Sequence, residues 1–158
     1  YICPNTHDLL DPVVSMTSAC WIKKLNDTAD EFNEKKLIDI VTQKYFSNVD
    51  LKRLDDVLNC FLPEATLAIQ TDNLVHVGRE KGIRRMFGDF FNAYKIIWHG
   101  NFKPIVDVDR QSVAVQFNAL RLRFDGFEER AQNINIFKFQ DNFFSKVTIF
   151  MSDENPLV

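Results

Sequence analysis

Apolar positions divide this chain into a helical first part and a sheet-forming second part. Leu37, Val41 and Tyr45 recur at i, i+4 and i+8, with Ile38 and Ile40 widening the stripe, which predicts an amphipathic helix. Leu54, Val57, Leu58 and Phe61 follow at i, i+3, i+4 and i+7, with Asp50 as the expected N-cap and Pro63 as the stop. A third stripe, Ile83, Phe87, Phe90, Phe91 and Tyr94, lies within "REKGIRRMFGDFFNAY". Between these helices "ATLAIQ" and "NLVHV" read as short strands around a turn at Thr71-Asp72. Ahead of them, Asp11-Pro12 has the chemistry of a helix start, and Val14, Trp21, Ile22 and Leu25 can share one face.

From Ile96 onward the pattern belongs to long strands, placed near residues 97–108, 112–124, 129–139 and 143–152. The turns between them, Asp109-Arg110-Gln111, Asp125-Gly126 and Asp141-Asn142, have the residues that turns favour. Helices, a hairpin, a helix and then a meander of strands make an α+β fold. In "NINIFKF", Asn133, Asn135, Phe137 and Phe139 share one face, and Ile134, Ile136 and Lys138 the other. Both faces are partly apolar, so the second is expected to be covered, by the N-terminal arm or by another subunit. The strand "KIIWHGNFKPIVDVD" carries Trp98, His99, Asn101 and Lys103 together, a mixture that suits the lining of a half-enclosed pocket. Trp98 and His99 have opposite parity, so both reach such a pocket only if the strand bulges, and Gly100 is the natural place.

Composition adds one unusual feature, 15 Phe against 5 Gly and 5 Pro. So many rings imply a thick core, an apolar cavity or a buried interface. The length of 158 residues suits one domain, and 46% hydrophobic and 26% charged residues are ordinary for a globular chain. A net charge of −3 with no basic stripe argues against a nucleic-acid surface. Cys3, Cys20 and Cys60 show no zinc or redox spacing and read as reduced thiols of a cytoplasmic protein. No window has the ~20 apolar residues of a membrane span. The nucleotide-loop, nucleophile-elbow and zinc-helix signatures are all absent. Asp55, Asp56, Asp107 and Asp109 read as helix-surface and turn carboxylates.

The stretches "YFSNVDLKRLDDVLNCFLPEATLAI", "VGREKGIRRMF", "IVDVD" and "NIFKFQDNFFSKVTIFMSDENP", in that order and spacing, resemble the nuclear transport factor 2-like superfamily. The SnoaL-like polyketide cyclases and the ketosteroid isomerases look closest. The resemblance implies an N-terminal extension over residues 1–30 and a cone domain over 31–158, in which a curved antiparallel sheet wraps N-terminal helices around an apolar pocket. It also implies a homodimer through the outer sheet face, a small apolar ligand and no cofactor, metal, nucleic acid or membrane partner. Two functions are compatible with it. One is a cofactor-independent isomerase, cyclase or dehydratase working next to a carbonyl. The other is a non-catalytic ligand-binding or assembly module, like the small subunits of ring-hydroxylating oxygenases.

Carried over by position, the resemblance places an oxyanion-donating tyrosine on Tyr45 and a second donor on Asn135. The aspartate base of the isomerases falls on Ile69, which cannot take a proton, so His99 is the expected base. An acidic residue near the last strand falls on Ser152 by ungapped counting, with Asp153 beside it as the nearest candidate. Trp98, Asn133, Phe61, Phe87 and Phe137 are the expected ligand-lining residues. A plainer reading stands beside each of these. Tyr45 suits a packed core tyrosine and His99 a structural histidine. Asn135, on a core-facing strand, needs a partner, a water or a ligand. His7 and His76 have little to mark them as functional. Arg121 and Arg123 are expected at solvent or an interface, or, at the cone mouth, against an anionic substrate, and Arg84 and Arg85 on a solvated helix face.

Overall fold

The computed structural model describes residues 33–158 together with Ala29 and Glu31. The expected helix after Asp11-Pro12, Cys3, Cys20 and His7 lie outside the described residues. The first helix, α1, runs over residues 33–50, and its middle, Ile40–Phe46, is wound in wide i→i+5 turns. Its stripe buries Leu37, Val41, Tyr45, Phe46 and Val49. The chain reverses through Lys52, in the left-handed region at φ 55°, and enters the short α2, Leu54–Leu58. Two expectations fail here. Asp50 caps nothing: it ends α1, at Ser47–Asp50, and its carboxylate reaches another element. Pro63 does not stop a helix, because Phe61 already begins strand β1, Phe61–Ile69. Phe61 fits the helical stripe by spacing, but full burial against Phe144 of another strand outweighs a short helix's local preference.

Strand β2, Leu74–Val77, returns from β1 through a tight turn with Asn73 at φ 54°. Helix α3 follows as Gly78–Ile83 and Arg84–Ala93, burying Ile83, Met86, Phe87, Phe90 and Phe91. Four long strands complete the fold: β3 Tyr94–Asp107, β4 Ser112–Arg123, β5 Glu128–Gln140 and β6 Phe143–Phe150. They form one curved sheet in the order β2-β1-β6-β5-β4-β3. Every pairing is antiparallel except β1 with β6, which is parallel, so the sheet is mixed rather than purely antiparallel.

The helices fill the concave side. Tyr45 is ringed there by Phe46, Phe61, Phe87, Phe137 and Phe144 at centroid distances of 4.9, 5.9, 6.3, 5.4 and 5.3 Å. Most of the phenylalanine excess goes into this core, each fully buried ring contributing roughly 1.5–3 kcal/mol. Ile69 is buried in the same layer, one pairing step from Ile149, which itself faces Asn135. On the convex side the register lines up Val75, Ala68, Thr148, Ile136, Ala114 and Ile105 in one row across all six strands.

Strand β3 forms one free edge, and its register slips between Gly100 and Lys103. The bulge sits where the sequence suggests, but Asn101 rather than Gly100 takes the left-handed conformation, at φ 56°. Gly100 serves a different purpose. The Trp98 ring folds across it, so that a Cβ there would lie 2.3 Å from the indole. Trp98 therefore stays on the convex face, 44% exposed, and does not line the cone. Among the described residues no helix is long and apolar enough to cross a membrane.

Candidate active site

The concave face changes character toward the end of the sheet where β4 and β5 meet at Asp125-Gly126. On β5 the inward series Phe139, Phe137, Asn135, Asn133 passes from rings to amides. On β4 the inward series Val113, Val115, Phe117, Ala119 ends at Arg121, which is 3% exposed. Of the places expected for this arginine, solvent and an outer interface are both excluded by its burial. The alternation of its strand carries it into the core instead, where two carboxylates receive it. Arg123, two residues on, is exposed.

Between these strands and the helices lies a cavity of about 40 Å³. Its polar wall comprises Tyr45, His99, Arg121, Asn133 and Asn135. Its apolar wall includes Phe46, Phe87, Phe90 and Phe117, and Pro156 and Leu157 cover it from the segment that follows β6. Five expected site residues thus meet around one space: Tyr45, Phe87, His99, Asn133 and Asn135. Phe61 and Phe137 do not reach it. They are fully buried and pack on the Tyr45 ring, so their place is in the core below the cavity. Asp153 does not line the cavity either, but binds Arg121 at its border.

His99 is held by a residue that the pattern along the chain marked only as a helix cap. Asp50 Oδ1 lies 2.6 Å from His99 Nδ1, and Asp50 Oδ2 accepts the His99 backbone N–H at 3.1 Å. A carboxylate only accepts, so Nδ1 carries the proton and the neutral ring keeps its lone pair on Nε2. The ring is clamped between Phe46 and Phe117, at 4.9 and 5.4 Å. With Nδ1 engaged, Nε2 is the ring atom available to a reactant in the cavity.

Tyr45 is kept protonated. Burial raises its hydroxyl well above the ordinary phenol range, and the nearby Cys60 adds to the effect. Burial likewise pushes the Cys60 thiol up to about 11, so it remains neutral and unreactive. Tyr45 is thus a standing hydrogen-bond donor and never a base near neutral pH. The two asparagines differ. Asn133 Oδ1 accepts the Ser152 N–H at 3.3 Å. Asn135 Oδ1 is buried with no partner among the described residues. An unmet buried amide costs about 1–3 kcal/mol, so its position beside a cavity calls for a reason.

Arg121 is fixed by Glu129, whose Oε2 accepts from Arg121 Nε at 3.0 Å and from the Tyr94 hydroxyl at 2.9 Å. Burial and the Glu129 carboxylate raise the Tyr94 pKa. Asp153 Oδ2 accepts from Arg121 Nη2 in an ion pair. Among the described residues no three histidine, cysteine or carboxylate side chains cluster as a metal would require.

Neither Asp50 nor Arg121 is among the site residues expected from the sequence. Arg121 had a signal, since four buried positions at period two precede it. Asp50 had none, because only the tertiary fold brings the end of α1 to the edge strand.

Residues 31–144 match the model of the SnoaL-like domain, most of the chain. The chain belongs to the SnoaL-like domain family. Solved structures agree with the fold. A candidate polyketide cyclase from Xanthomonas campestris pv. campestris superposes with a TM-score of 0.67 at 12% identity, over 75% of this chain and 91% of its own. The BvnE pinacolase of Penicillium brevicompactum gives 0.66 at 14% identity, over 76% of this chain and 85% of its own. A candidate ketosteroid isomerase from Kribbella flavida gives 0.61 at 15%, over 78% and 82%. At these identities the likeness is one of fold. No curated protein matches the sequence. In this SnoaL-like domain the inward ends of β4 and β5, the end of α1 and the middle of β3 supply the polar wall of the cone.

Proposed function

We propose that this SnoaL-like domain performs acid–base chemistry on a small apolar molecule, at a carbon next to a carbonyl, as an isomerase, dehydratase or cyclase. The observation that carries this reading is the Asp50–His99 pair beside a cavity that also touches Tyr45 and Asn135. His99 Nε2 removes the proton, and Asp50 holds the ring and stabilises the imidazolium that results. The Tyr45 hydroxyl and the Asn135 amide N–H groups donate to the developing enolate oxygen. The returning proton goes from His99 to another carbon, or to a leaving hydroxyl in a dehydration. Ile69 leaves the more common carboxylate base unavailable, so the pathway runs through His99. We place the protein in the cytoplasm as a homodimer formed across the convex row from Val75 to Ile105.

A second reading, a non-catalytic binding or assembly module, is favoured by one observation. A space of about 40 Å³ is far below the ~300–1,000 Å³ of sites that enclose drug-sized ligands. Deuterium exchange separates the two readings without knowledge of the natural substrate. The carbon acid 2-tetralone, incubated in D2O, is followed by proton NMR. Wild-type protein is expected to accelerate exchange next to the carbonyl, and His99→Ala to abolish that acceleration. Tyr45→Phe is expected to slow it by roughly 10²-fold. No acceleration by the wild type would leave the module reading in possession.

A further inference from the structure

The acid–base reading leaves Arg121 unexplained. A guanidinium 4% exposed is a costly group to place in an apolar cone, and neither proton removal nor oxyanion donation requires it. Its two carboxylates are not equivalent. Glu129 stands directly opposite Arg121 in the β4–β5 ladder, and also holds the Tyr94 hydroxyl. It is part of the sheet. Asp153 belongs to the irregular segment after β6, and its Oδ1 is buried without a partner among the described residues. Two residues on, Asn155 Nδ2 is buried and likewise unpartnered. The same segment supplies Pro156 and Leu157, which cover the cavity. Its other hydrogen bonds to the rest of the fold are few, Ser152 N–H to Asn133 Oδ1, Gln132 N–H to Ser152 Oγ, and His76 Nε2 against the Leu157 carbonyl, and Leu157 is its one residue in the buried core.

We propose that Arg121 is the recognition subsite for a carboxylate on the ligand, and that Asp153 occupies it as a resident substitute until that ligand arrives. This deepens the acid–base reading and rests on it, since it names the class of molecule the same cavity takes: an apolar carboxylic acid. Withdrawal of residues 153–157 does two things together. It removes Pro156 and Leu157 from the cavity, which is too small for an organic ligand while they are in place. It also takes one of two carboxylates from a buried cation. A neutral ligand leaves Arg121 short of a counter-charge, whereas a carboxylate restores the pair that Asp153 made. Two unmet polar atoms in the covering segment weaken the closed arrangement, which favours exchange. Selection for the acid thus follows from charge conservation around one guanidinium. The apolar body of the ligand then lies against Phe87, Phe90 and Phe117, within reach of His99.

Calorimetric titration with 2-naphthoate and its neutral counterpart 2-naphthamide tests this. Wild-type protein is expected to bind the acid at least roughly tenfold tighter than the amide. Asp153→Asn removes the resident carboxylate with little change of shape, and is expected to tighten 2-naphthoate by about tenfold and 2-naphthamide by a comparable factor, because either ligand must displace the same covering segment, with the acid remaining the tighter of the two. The same substitution is expected to speed amide hydrogen exchange in residues 151–158. Equal binding of acid and amide by the wild type, or unchanged or weaker acid binding by Asp153→Asn, would overturn the proposal. Failure of both probes to bind either protein would do the same. The 2-tetralone exchange is scored separately. If it persists while charge and Asp153 prove irrelevant, acid–base chemistry stands and the carboxylate subsite fails; if exchange is absent too, both fail.

Discussion

Asn133 and Asn135 point from the same strand face into the same cavity, yet substitution by leucine is expected to shift stability in opposite directions. Leucine keeps the branched outline of asparagine and replaces both amide heads by methyl groups. At position 135 it removes a buried oxygen with no partner among the described residues, which relieves roughly 1–3 kcal/mol of unmet desolvation. The larger side chain expands into the cavity of about 40 Å³ beside Val115 and Ile149, its neighbours in the ladder. Overpacking takes back about 1 kcal/mol or more of this gain. The net expectation for Asn135→Leu is stabilisation by about 1 kcal/mol. At position 133 the same change deletes the acceptor of the Ser152 N–H, and is expected to cost roughly 1 kcal/mol. Each kcal/mol moves Tm by about 2–4 °C for a chain of this size. The two variants should therefore melt about 4–8 °C apart, on either side of wild type. Calorimetry at pH 7 reads this directly. An Asn135→Leu protein that melts below wild type, as Asn133→Leu does, would refute the reasoning, because Asn135 would then be a satisfied structural amide. Gain of stability with loss of 2-tetralone exchange would mark a residue retained for chemistry.

Asp50→Asn should leave the fold intact but reduce 2-tetralone exchange by a factor of roughly 10–100, since His99 loses the charge that stabilises its protonated form; retention of full activity would remove Asp50 from the mechanism. The Cys60 thiol has an ordinary value of 9.0 and is held up to about 11 in the fold. Below pH 9 both folded and unfolded chains keep the proton, so its contribution is fully present; between those values only the unfolded chain releases it, and stability falls by about 1.4 kcal/mol per pH unit. Urea midpoints should therefore drop across this window in wild type and less steeply in Cys60→Ala, and parallel curves would contradict the assigned burial effect. Ile136→Glu, in the middle of the convex row, should convert a dimer to a monomer by light scattering at micromolar concentration; a wild type already monomeric would dispose of the dimer.

The two halves of the fold were unequally readable. Strands β3 to β6 announced themselves because Asp109, Asp125-Gly126 and Asp141-Asn142 mark sharp turns, and turn chemistry is local. Gly126, Asp141 and Asn142 do adopt positive φ values of 88, 52 and 65°. The α2–β1 junction was misread because Phe61 satisfies two periodicities at once, and only the distant Phe144 decides between them. For the site, the inward parity of Asn133 and Asn135 was legible, since a strand's alternation is a property of the strand alone. The parity of Trp98 and His99 was not, because a bulge permits either outcome and the closest approach of indole to Gly100 is a three-dimensional fact. Asp50 was beyond reach for a similar reason. Capping and pairing with a histidine 49 residues away ask for the same carboxylate, and a sequence does not show which partner the fold delivers.

The bulge in β3 bears on how this protein behaves in a crowd. At fourteen residues, β3 is a long edge, and a straight edge of that length invites another chain to add a strand. The left-handed turn at Asn101 breaks the run after Gly100, Pro104 offers no N–H, and Lys95 and Lys103 stand exposed on either side of the break. Each remaining stretch is short and carries an exposed lysine, which opposes the addition of another strand. The opposite edge, β2, is only four residues long. The kink that follows His99 therefore also protects the molecule from fibre formation, and a variant with a straightened β3 is expected to aggregate before it loses its fold.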